Sequence, residues 1–409
     1  MNVVERFLGY TKINTTTNQA NGAAGIMPSS EGQYELACLV KKELEALGCT
    51  DILLRDTAIL TATLPSNTEK KLPTVAFFGH LDTSSERTED THAVVVHYKG
   101  GDIPLATGPV LSLTEYPELT NYIGQDIIVS DGQSLLGADD KAAIAAILNA
   151  LQFFKDNPDV EHGAVKVGFV PDEEQGLLGA NAFDVDGFGA DFAYTLDCCG
   201  IGEFVCENWN AGNAVVTFTG QSAHPMNSKG NLINSLLLAN SFMSRFPEKE
   251  TPEHTEGREG YYWMKKLAGN SAKTVLNMDI RDFTESGYMY RKAFIVEQVR
   301  MFNEENNNRA TLELSDRYSN VHNFLKGSML PVDLAMEAYK ENDIEPKVIP
   351  MRGGYDGAVL SEKGLPCPNI FTGAHNFHSI FEYLPVPSLI AASNVVKTII
   401  INLTKHEEV

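Results

Sequence analysis

Apolar positions in the first half of the chain follow two spacings, one typical of helices and one typical of strands. Residues 31–47 carry apolar side chains at helical spacing and meet Gly48, a residue type that commonly terminates helices. A second helical run covers residues 140–155. Short apolar runs predict strands at residues 58–64, 74–78, 126–130, 164–170 and 192–196. Helices and strands that alternate in this way predict the α/β class.

The pattern changes after residue 208. Three predicted strands alternate there with two predicted helices, at residues 214–219, 232–246, 274–282, 290–305 and 310–314. From about residue 323 the α/β pattern resumes, with elements at residues 331–342, 347–349, 357–363, 369–372 and a terminal helix to about Leu403. We therefore predict a discontinuous α/β domain, residues 1–208 and 322–409, with a central mixed sheet flanked by helices. Residues 209–321 are predicted as a smaller inserted α+β domain.

Charge and composition exclude some classes of protein. The chain has 32 Lys and Arg residues against 54 Asp and Glu residues, and its net charge of −22 argues against binding to a nucleic-acid backbone. A hydrophobic share of 43% with 21% charged residues is typical of a folded globular chain. Six cysteines in 409 residues are too sparse for a disulfide framework. We expect reduced thiols.

No targeting or membrane segment is predicted. The N-terminus lacks the basic and apolar regions of a signal peptide. The most apolar run with helical spacing, residues 142–154, is shorter than the ~20 residues that span a bilayer. We therefore expect a cytoplasmic protein that contacts neither membrane nor nucleic acid.

Histidines and carboxylates cluster where predicted strands end. His80, Asp139, the pair Glu173 and Glu174, and Asp197 each follow an apolar strand run. Open α/β sheets bind ligands at the carboxyl ends of their strands, and these side chains are ligands for Zn²⁺ or a similar divalent ion. Taken singly, each of these residues is more often a solvated or structural residue than a metal ligand, since acidic side chains are mostly exposed. The pattern alone leaves a metal site and a set of solvated loop ends both open.

Motifs for other chemistries are absent from the sequence. It contains no G-x-x-x-x-G-K-[ST] phosphate loop, no G-x-G-x-x-G after a strand, no G-x-S-x-G nucleophile elbow and no H-E-x-x-H. Nucleotide binding and serine-hydrolase chemistry therefore have no support in the sequence.

Several longer motifs resemble one family, the M20 metallopeptidases, and within it the tripeptidases. The matching stretches are GHLDTS (79–84), LGADDK (136–141), PDEE (171–174), YTLD (194–197), TGQSAHP (219–225), NMDIRDF (277–283), MRGG (351–354) and LPCPNIFTG (365–373), with PSSEGQ (28–33) near the N-terminus. They occur in the family's order and cover essentially the whole chain. The resemblance implies a zinc-peptidase-like catalytic domain, with residues 209–321 as its lid.

The resemblance also implies a two-metal site. His80, Asp139 and Asp197 would hold one ion, and Asp139, Glu174 and His378 the other, so that Asp139 bridges the two. Two zinc ions are expected, with Mn or Co as the alternatives. Paired ions polarise a scissile carbonyl and lower the pKa of a water between them.

Further roles follow from the same resemblance. Glu173 would be the general base, and Asp82 would orient His80 through its other ring nitrogen. His224 would stabilise the tetrahedral oxyanion, although the residues alone favour an ordinary loop histidine. Arg281 and Arg352 would anchor the terminal carboxylate of the peptide, and the alternative for Arg281 is an ion pair with a neighbouring aspartate.

The function implied is a metal-dependent aminopeptidase that releases the N-terminal residue from tripeptides in peptide catabolism. Another M20 hydrolase (a dipeptidase, carboxypeptidase or N-acyl amino acid deacylase) is the first alternative, and a catalytically silent metal- or peptide-binding protein is the second. The resemblance allows a homodimer. The sequence departs from the family pattern at Cys198 and Cys199, where glycines are expected and where thiols could alter metal preference.

Overall fold

The structure, a computed structural model, describes residues 1–198 and 200–406. The chain divides into two compact units. The first takes in residues 1–206, 324–349 and the chain from Tyr355 onward, and the second takes in Glu207–Asn323 and Pro350–Gly354. The predicted insert, residues 209–321, lies within the second unit, and the prediction did not assign residues 350–354 to it. The roles of catalytic domain and lid stay predictions.

Helices and strands alternate along most of the described chain. The helices are α1 (Val3–Tyr10), α2 (Gln19–Ala23), α3 (Glu31–Leu47), α4 (Ala138–Asp156), α5 (Leu178–Ala182), α6 (Val185–Phe188), α7 (Ser235–Met243), α8 (Glu285–Glu305), α9 (His322–Leu325), α10 (Leu330–Glu341), α11 (Asp356–Glu362) and α12 (Val386–Leu403). The strands are β1 (Thr50–Leu54), β2 (Leu60–Leu64), β3 (Val75–His80), β4 (Val94–His97), β5 (Ile103–Pro104), β6 (Val110–Leu111), β7 (Asp126–Val129), β8 (Val165–Val170), β9 (Phe192–Cys198), β10 (Glu203–Val205), β11 (Asn210–Thr219), β12 (Tyr261–Gly269), β13 (Lys273–Asp282), β14 (Ala310–Tyr318), β15 (Lys347–Val348), β16 (Asn369–Phe371) and β17 (Tyr383–Pro385).

The first unit is built on an eight-stranded mixed sheet in the order β1-β2-β8-β3-β9-β16-β10-β15. Its central strands β8, β3, β9 and β16 pair in parallel, while β2 and β10 run antiparallel to their neighbours β8 and β16. Every residue of β3 is buried, as expected for a central parallel strand covered on both faces. The predicted α/β class and central mixed sheet are confirmed.

Helices α4 and α12 supply much of the core beside this sheet. Nearly all of α4 is buried, and its alanines allow close packing against β3, β9 and α12. Among the described residues, α12 is the one helix long and apolar enough to cross a membrane by length and composition. Because 61% of that stretch is buried in the protein, it also fits the core helix of a globular chain. The sequence analysis had instead singled out residues 142–154, which lie in α4.

Helix ends follow their sequence signals closely. Helix α3 ends at Gly48, which has a φ of 85° in the left-handed region, as predicted. Helix α4 has non-helical backbone angles at Asp139 and Asp140, so its regular part begins where the apolar pattern placed it.

The expectation that Asp139 directly follows a strand run is wrong. The preceding strand, β7, belongs to a separate three-stranded sheet in the order β17-β7-β4. Asp139 lies instead in the first turn of α4, and a segment without strand structure connects β7 to that helix. Asp197 also differs from its expected position, since it lies inside β9 rather than after it. An apolar strand run does not reveal which sheet the strand joins or how long the segment after the strand is.

The second unit has a four-stranded antiparallel sheet in the order β12-β13-β11-β14. Helices α7 and α8 pack their apolar side chains against alternate residues of β11, Ala214, Val216 and Phe218. The predicted sequence of three strands and two helices is wrong because it omits β12. That strand lies at the edge of the sheet, and most of its side chains are exposed. It therefore has neither the alternation nor the apolar run of a buried strand.

Close packing around β8 gives a stability prediction. A Cβ at Gly168 would lie 2.2 Å from Cε1 of Phe78, whose ring already contacts Phe183 and Phe188. Gly168→Ala should lower the free energy of unfolding by about 1–3 kcal/mol in urea titrations, because the ring must move within a packed core. Gly9→Ala is the control, since nothing lies within 4 Å of its added methyl group and helix α1 favours alanine. Equal effects of the two substitutions would contradict this packing.

Candidate metal centre

His80 is the last residue of β3 and has both ring nitrogens engaged. Its Nε2 lies 2.9 Å from Oδ1 of Asp139. Its Nδ1 lies 3.1 Å from the backbone oxygen of Asp82 and 3.3 Å from Oδ1 of the same residue. The side chain is 2% exposed, so these contacts hold the ring within the protein. A histidine fixed on one nitrogen can offer the other to a metal ion.

Asp82 also supports the loop that follows β8. Its Oδ1 accepts a hydrogen bond from the backbone N–H of Glu173 at 3.0 Å, and its Oδ2 accepts one from Glu174 at 3.1 Å. One fully buried carboxylate therefore contacts His80 and both acidic residues of the loop. The contact predicted between Asp82 and His80 is present, and the contact with the loop is an addition.

The backbone of Asp139 is held by a carboxylate that the sequence analysis did not single out. Oε1 of Glu382 accepts the N–H of Asp139 at 3.0 Å, and Oε2 accepts the N–H of Gly137 at 2.8 Å. Glu382 is 1% exposed and lies four residues after His378. It thereby joins the loop that carries His378 to the start of α4. The sequence signal for it was weak, because an acidic residue shortly after a histidine is common in solvated loops.

His378 is the exposed member of the cluster. Its Nε2 lies 2.7 Å from Oε1 of Glu174 and 3.2 Å from Oδ2 of Asp139. The His378 side chain is 43% exposed, whereas those of Asp139 and Glu174 are 8% and 9% exposed. The cluster therefore opens to solvent at His378.

Three sets of ligand atoms converge in this place. They are His80, Asp139 and Asp197; Asp139, Glu174 and His378; and His80, Glu173 and Glu174, with the ligand atoms of each set within 4.8 Å of one another. The first two sets share Asp139. The structure thus brings all five predicted ligands together and places Glu173 beside them.

Electrostatics favour a cation in this cluster. Burial raises the pKa of Glu174 to about 7, and the neighbouring charge of Asp139 adds to the shift. Burial and the Asp139 charge also raise the pKa of Asp197 well above its usual value. Crowded carboxylates raise one another's pKa because each disfavours the charged form of the next. A divalent ion would offset that repulsion.

The donor set fits a divalent metal ion. Carboxylate oxygens and imidazole nitrogens in groups of three suit Zn²⁺, Mn²⁺ or Co²⁺. The two sets that share Asp139 provide for two ions side by side, with one carboxylate common to both. The predicted ligand residues are therefore compatible with a two-metal site.

Three predicted residues lie in the second unit. His224 is exposed, and its Nδ1 accepts the backbone N–H of Met226 at 3.2 Å. Arg281 is 8% exposed and pairs with Asp279 at 3.1 Å, which is the local ion pair that the sequence left open as the alternative to a substrate anchor. Arg352 lies over the rings of Trp209 and Tyr261, with its carbon Cζ 4.9 Å and 5.6 Å from their centroids.

The cysteines beside Asp197 are only partly described. Cys198 is buried in β9, directly after Asp197. Cys199 lies outside the described residues. The effect of these thiols on metal preference stays a prediction.

Comparison with known proteins identifies the family to which this chain belongs. A model of the peptidase family M20/M25/M40 matches residues 136–402, and a model of the peptidase family M28 matches residues 60–187. Peptidase T of Clostridium botulinum is 43% identical to the chain over 399 residues, which are 96% of this chain and 97% of the relative. The chain belongs to the M20 peptidase family. The resemblance noted in the sequence is confirmed.

Two solved structures show that this M20 peptidase shares its fold with known ones. Aminopeptidase PepT from Bacillus cereus has a TM-score of 0.79, and a tripeptidase from Staphylococcus aureus has a TM-score of 0.77. Each is 21% identical, and each comparison covers 98% of both chains. The fold is therefore maintained over essentially the whole chain.

The raised pKa values predict how the metal-free protein responds to pH. Burial raises the pKa values of Glu174, Asp356 and Glu382 to about 7. Between pH 5 and 7 the folded protein then holds more protons than the unfolded chain, so the free energy of unfolding should fall as the pH rises. The expected slope is on the order of 1 kcal/mol per pH unit.

Urea unfolding of chelator-treated protein at pH 5, 6 and 7 measures this slope. Zinc-saturated protein is the control, and its stability should fall less because the cation offsets the repulsion among the carboxylates. A free energy of unfolding that stays level or rises in the metal-free protein would contradict the electrostatics described above.

Proposed function

We propose that this M20 peptidase is a metal-dependent aminopeptidase that releases the N-terminal residue from tripeptides. The observation that carries the proposal is the convergence of two ligand sets on the shared carboxylate of Asp139, with Glu173 next to them. The names of its relatives support the substrate class, since one is called peptidase T and another a tripeptidase. Small peptides are therefore the proposed partners.

The metal ligands are proposed as the sequence resemblance implied. One ion would be held by His80, Asp139 and Asp197, and the other by Asp139, Glu174 and His378. Bound zinc ions would polarise the scissile carbonyl and lower the pKa of a water between them. Zinc is proposed over Mn or Co because two imidazoles are among the five ligands.

Glu173 is the proposed general base. It would take the proton of the attacking water and then give it to the leaving amine. Burial raises the pKa of Glu173 well above its usual value in the metal-free protein, so its surroundings favour the carboxyl group that holds a proton. The backbone N–H of Glu173 donates to Asp82, and this hydrogen bond fixes the backbone position from which the Glu173 side chain extends.

His224 has the tautomer that an oxyanion ligand requires. Because Nδ1 of His224 accepts the N–H of Met226, the neutral ring carries its proton on Nε2. That Nε2–H is a donor for the developing oxyanion. An ordinary loop histidine, the alternative role, would make the same hydrogen bond.

Arg281 and Arg352 are proposed as the anchors of the terminal carboxylate of the peptide. Arg281 donates to the backbone oxygens of Gly212 and Ile280 as well as to Asp279. Arg352 donates to the oxygen of Gly257 and to Oγ1 of Thr255, and it lies over two aromatic rings. Its guanidinium is therefore oriented by neutral groups and keeps its full charge for a substrate carboxylate.

A cytoplasmic location and action in peptide catabolism belong to this proposal, as does a possible homodimer. A silent metal-binding protein is disfavoured because Glu173 is retained beside the ligands, and binding alone would not need a base. A dipeptidase, carboxypeptidase or deacylase would share the metal ligands. These functions are distinguished by which end of the substrate must be free.

Glu173→Gln tests the general base. The variant should keep both metal ions and lose about 100- to 10,000-fold in kcat for a tripeptide, because the amide cannot accept the proton from water. Zinc content by elemental analysis and steady-state kinetics measure the two effects. Glu161→Gln, an exposed residue paired with Lys70, is the matched control and should match the wild type. Retained activity in Glu173→Gln would place the base elsewhere.

Arginine variants test the carboxylate anchor. Arg281→Met and Arg352→Met should each be assayed with a free tripeptide and with its C-terminal amide. Loss of the anchor should raise KM for the free tripeptide about 10-fold or more and change KM for the amide much less, because only the former carries the charge. Arg300→Met, an exposed residue of α8, is the control. Equal changes in KM for both substrates would show that the arginine is structural.

A further inference from the structure

The motif PSSEGQ, residues 28–33, matched the family in sequence and has so far received no role. In the structure it leads into α3 and lies in the first unit with the metal centre. Two of its residues are buried, Ser29 at 1% and Gln33 at 0% exposure. Both face Asp172, the residue directly before Glu173. The motif is therefore in contact with the loop that carries the proposed base.

Asp172 is a fully buried carboxylate satisfied by neutral donors. Its Oδ2 accepts the backbone N–H of Ser29 at 2.8 Å, and its Oδ1 accepts Nε2 of Gln33 at 2.8 Å and the hydroxyl of Ser29. Burying a charged group without such bonds would cost several kcal/mol. The bonds from Ser29 and Gln33 therefore fix the side chain of Asp172 in one position.

Gln33 also holds the backbone of the same residue. Its Oε1 accepts the N–H of Asp172 at 3.0 Å, while its Nε2 donates to the carboxylate. One amide thus contacts Asp172 at two points and determines its orientation. A glutamate at position 33 could keep the first contact but would place a negative charge against the second.

The backbone of Asp172 needs this support. Its φ is 57°, in the left-handed region that residues with a side chain seldom adopt. Such a conformation costs about 1–3 kcal/mol and persists only where the surroundings hold it. On the other side of the loop, Leu178 N–H donates to the backbone oxygen of Asp172 at 3.0 Å. Because Glu173 follows Asp172 directly, the backbone conformation of Asp172 determines the position from which the Glu173 side chain extends.

We propose that Ser29 and Gln33 are positioning residues that act through Asp172 to hold Glu173 at the angle proton transfer requires. Neither residue belongs to the ligand sets of the metal centre. Asp82 anchors the N–H groups of Glu173 and Glu174 from one side, and the Ser29–Gln33 pair fixes the preceding residue from the other. The proposal rests on the function proposed for Glu173.

The test uses Ser29→Ala and Gln33→Glu in the zinc-loaded full chain. Each should lower kcat for a tripeptide about 10- to 100-fold, because a base displaced by about 1 Å transfers its proton poorly. KM should stay within about 2-fold, since substrate binding does not use the base. Glu35→Gln, exposed on the same helix, is the matched control and should behave as wild type. Titration calorimetry should find two bound zinc ions in every variant.

A double-variant comparison separates positioning from general damage. In protein that already carries Glu173→Gln, adding Ser29→Ala or Gln33→Glu should lower the residual kcat no further, because the group they position has lost its function. A further loss of the same size in that background, a loss of one zinc ion, or unchanged kcat in the single variants would overturn the proposal. Ser29→Ala removes only a hydroxyl, so it remains informative if Gln33→Glu folds poorly.

The proposed function is tested separately in the same experiment. If the wild type cleaves tripeptides and Glu173→Gln does not, the base assignment stands whatever the effect of Ser29→Ala. A wild type without tripeptide cleavage would overturn both proposals.

Discussion

The repulsion among crowded, partly buried carboxylates is the constraint on which the centre of this protein depends. Asp139, Glu174 and Asp197 lie with Glu173 around two histidines, and their partial burial weakens the screening of their charges by water. Such a group of acids is costly unless protons or cations neutralise it. The raised pKa values of Glu174 and Asp197 express that cost, and divalent ions would offset it. Metal binding and stability are therefore coupled in this fold.

Three carboxylates near the cluster each contact a distant part of the chain. Asp82 contacts the loop after β8, Glu382 contacts the start of α4, and Asp172 is held by the segment before α3. These supporting carboxylates accept backbone N–H groups, so they fix the main chain without using the side-chain oxygens of the proposed ligands. The main chain around the ligands is thereby held in place, and proton transfer requires such a fixed distance.

The sequence predicted the parts of the structure that follow from local pattern. Apolar periodicity located α3, most of α4 and the central strands, and the family motifs identified all five proposed ligands. The apolar pattern did not predict β12, an exposed edge strand without alternation. It also misplaced Asp139, because the strand that precedes this residue joins another sheet. It also missed Glu382 and Asp172 as supporting groups. Their partners Asp139 and Ser29 lie 243 and 143 residues away in sequence, and no local pattern encodes such a contact.

The most direct measurement is product analysis by mass spectrometry after a free tripeptide is incubated with the protein, with and without a chelator. A metal-dependent tripeptide aminopeptidase should release the N-terminal amino acid and a dipeptide, stop when the chelator is present, and recover on addition of Zn²⁺. Release of the C-terminal residue first, or cleavage that the chelator does not stop, would contradict it.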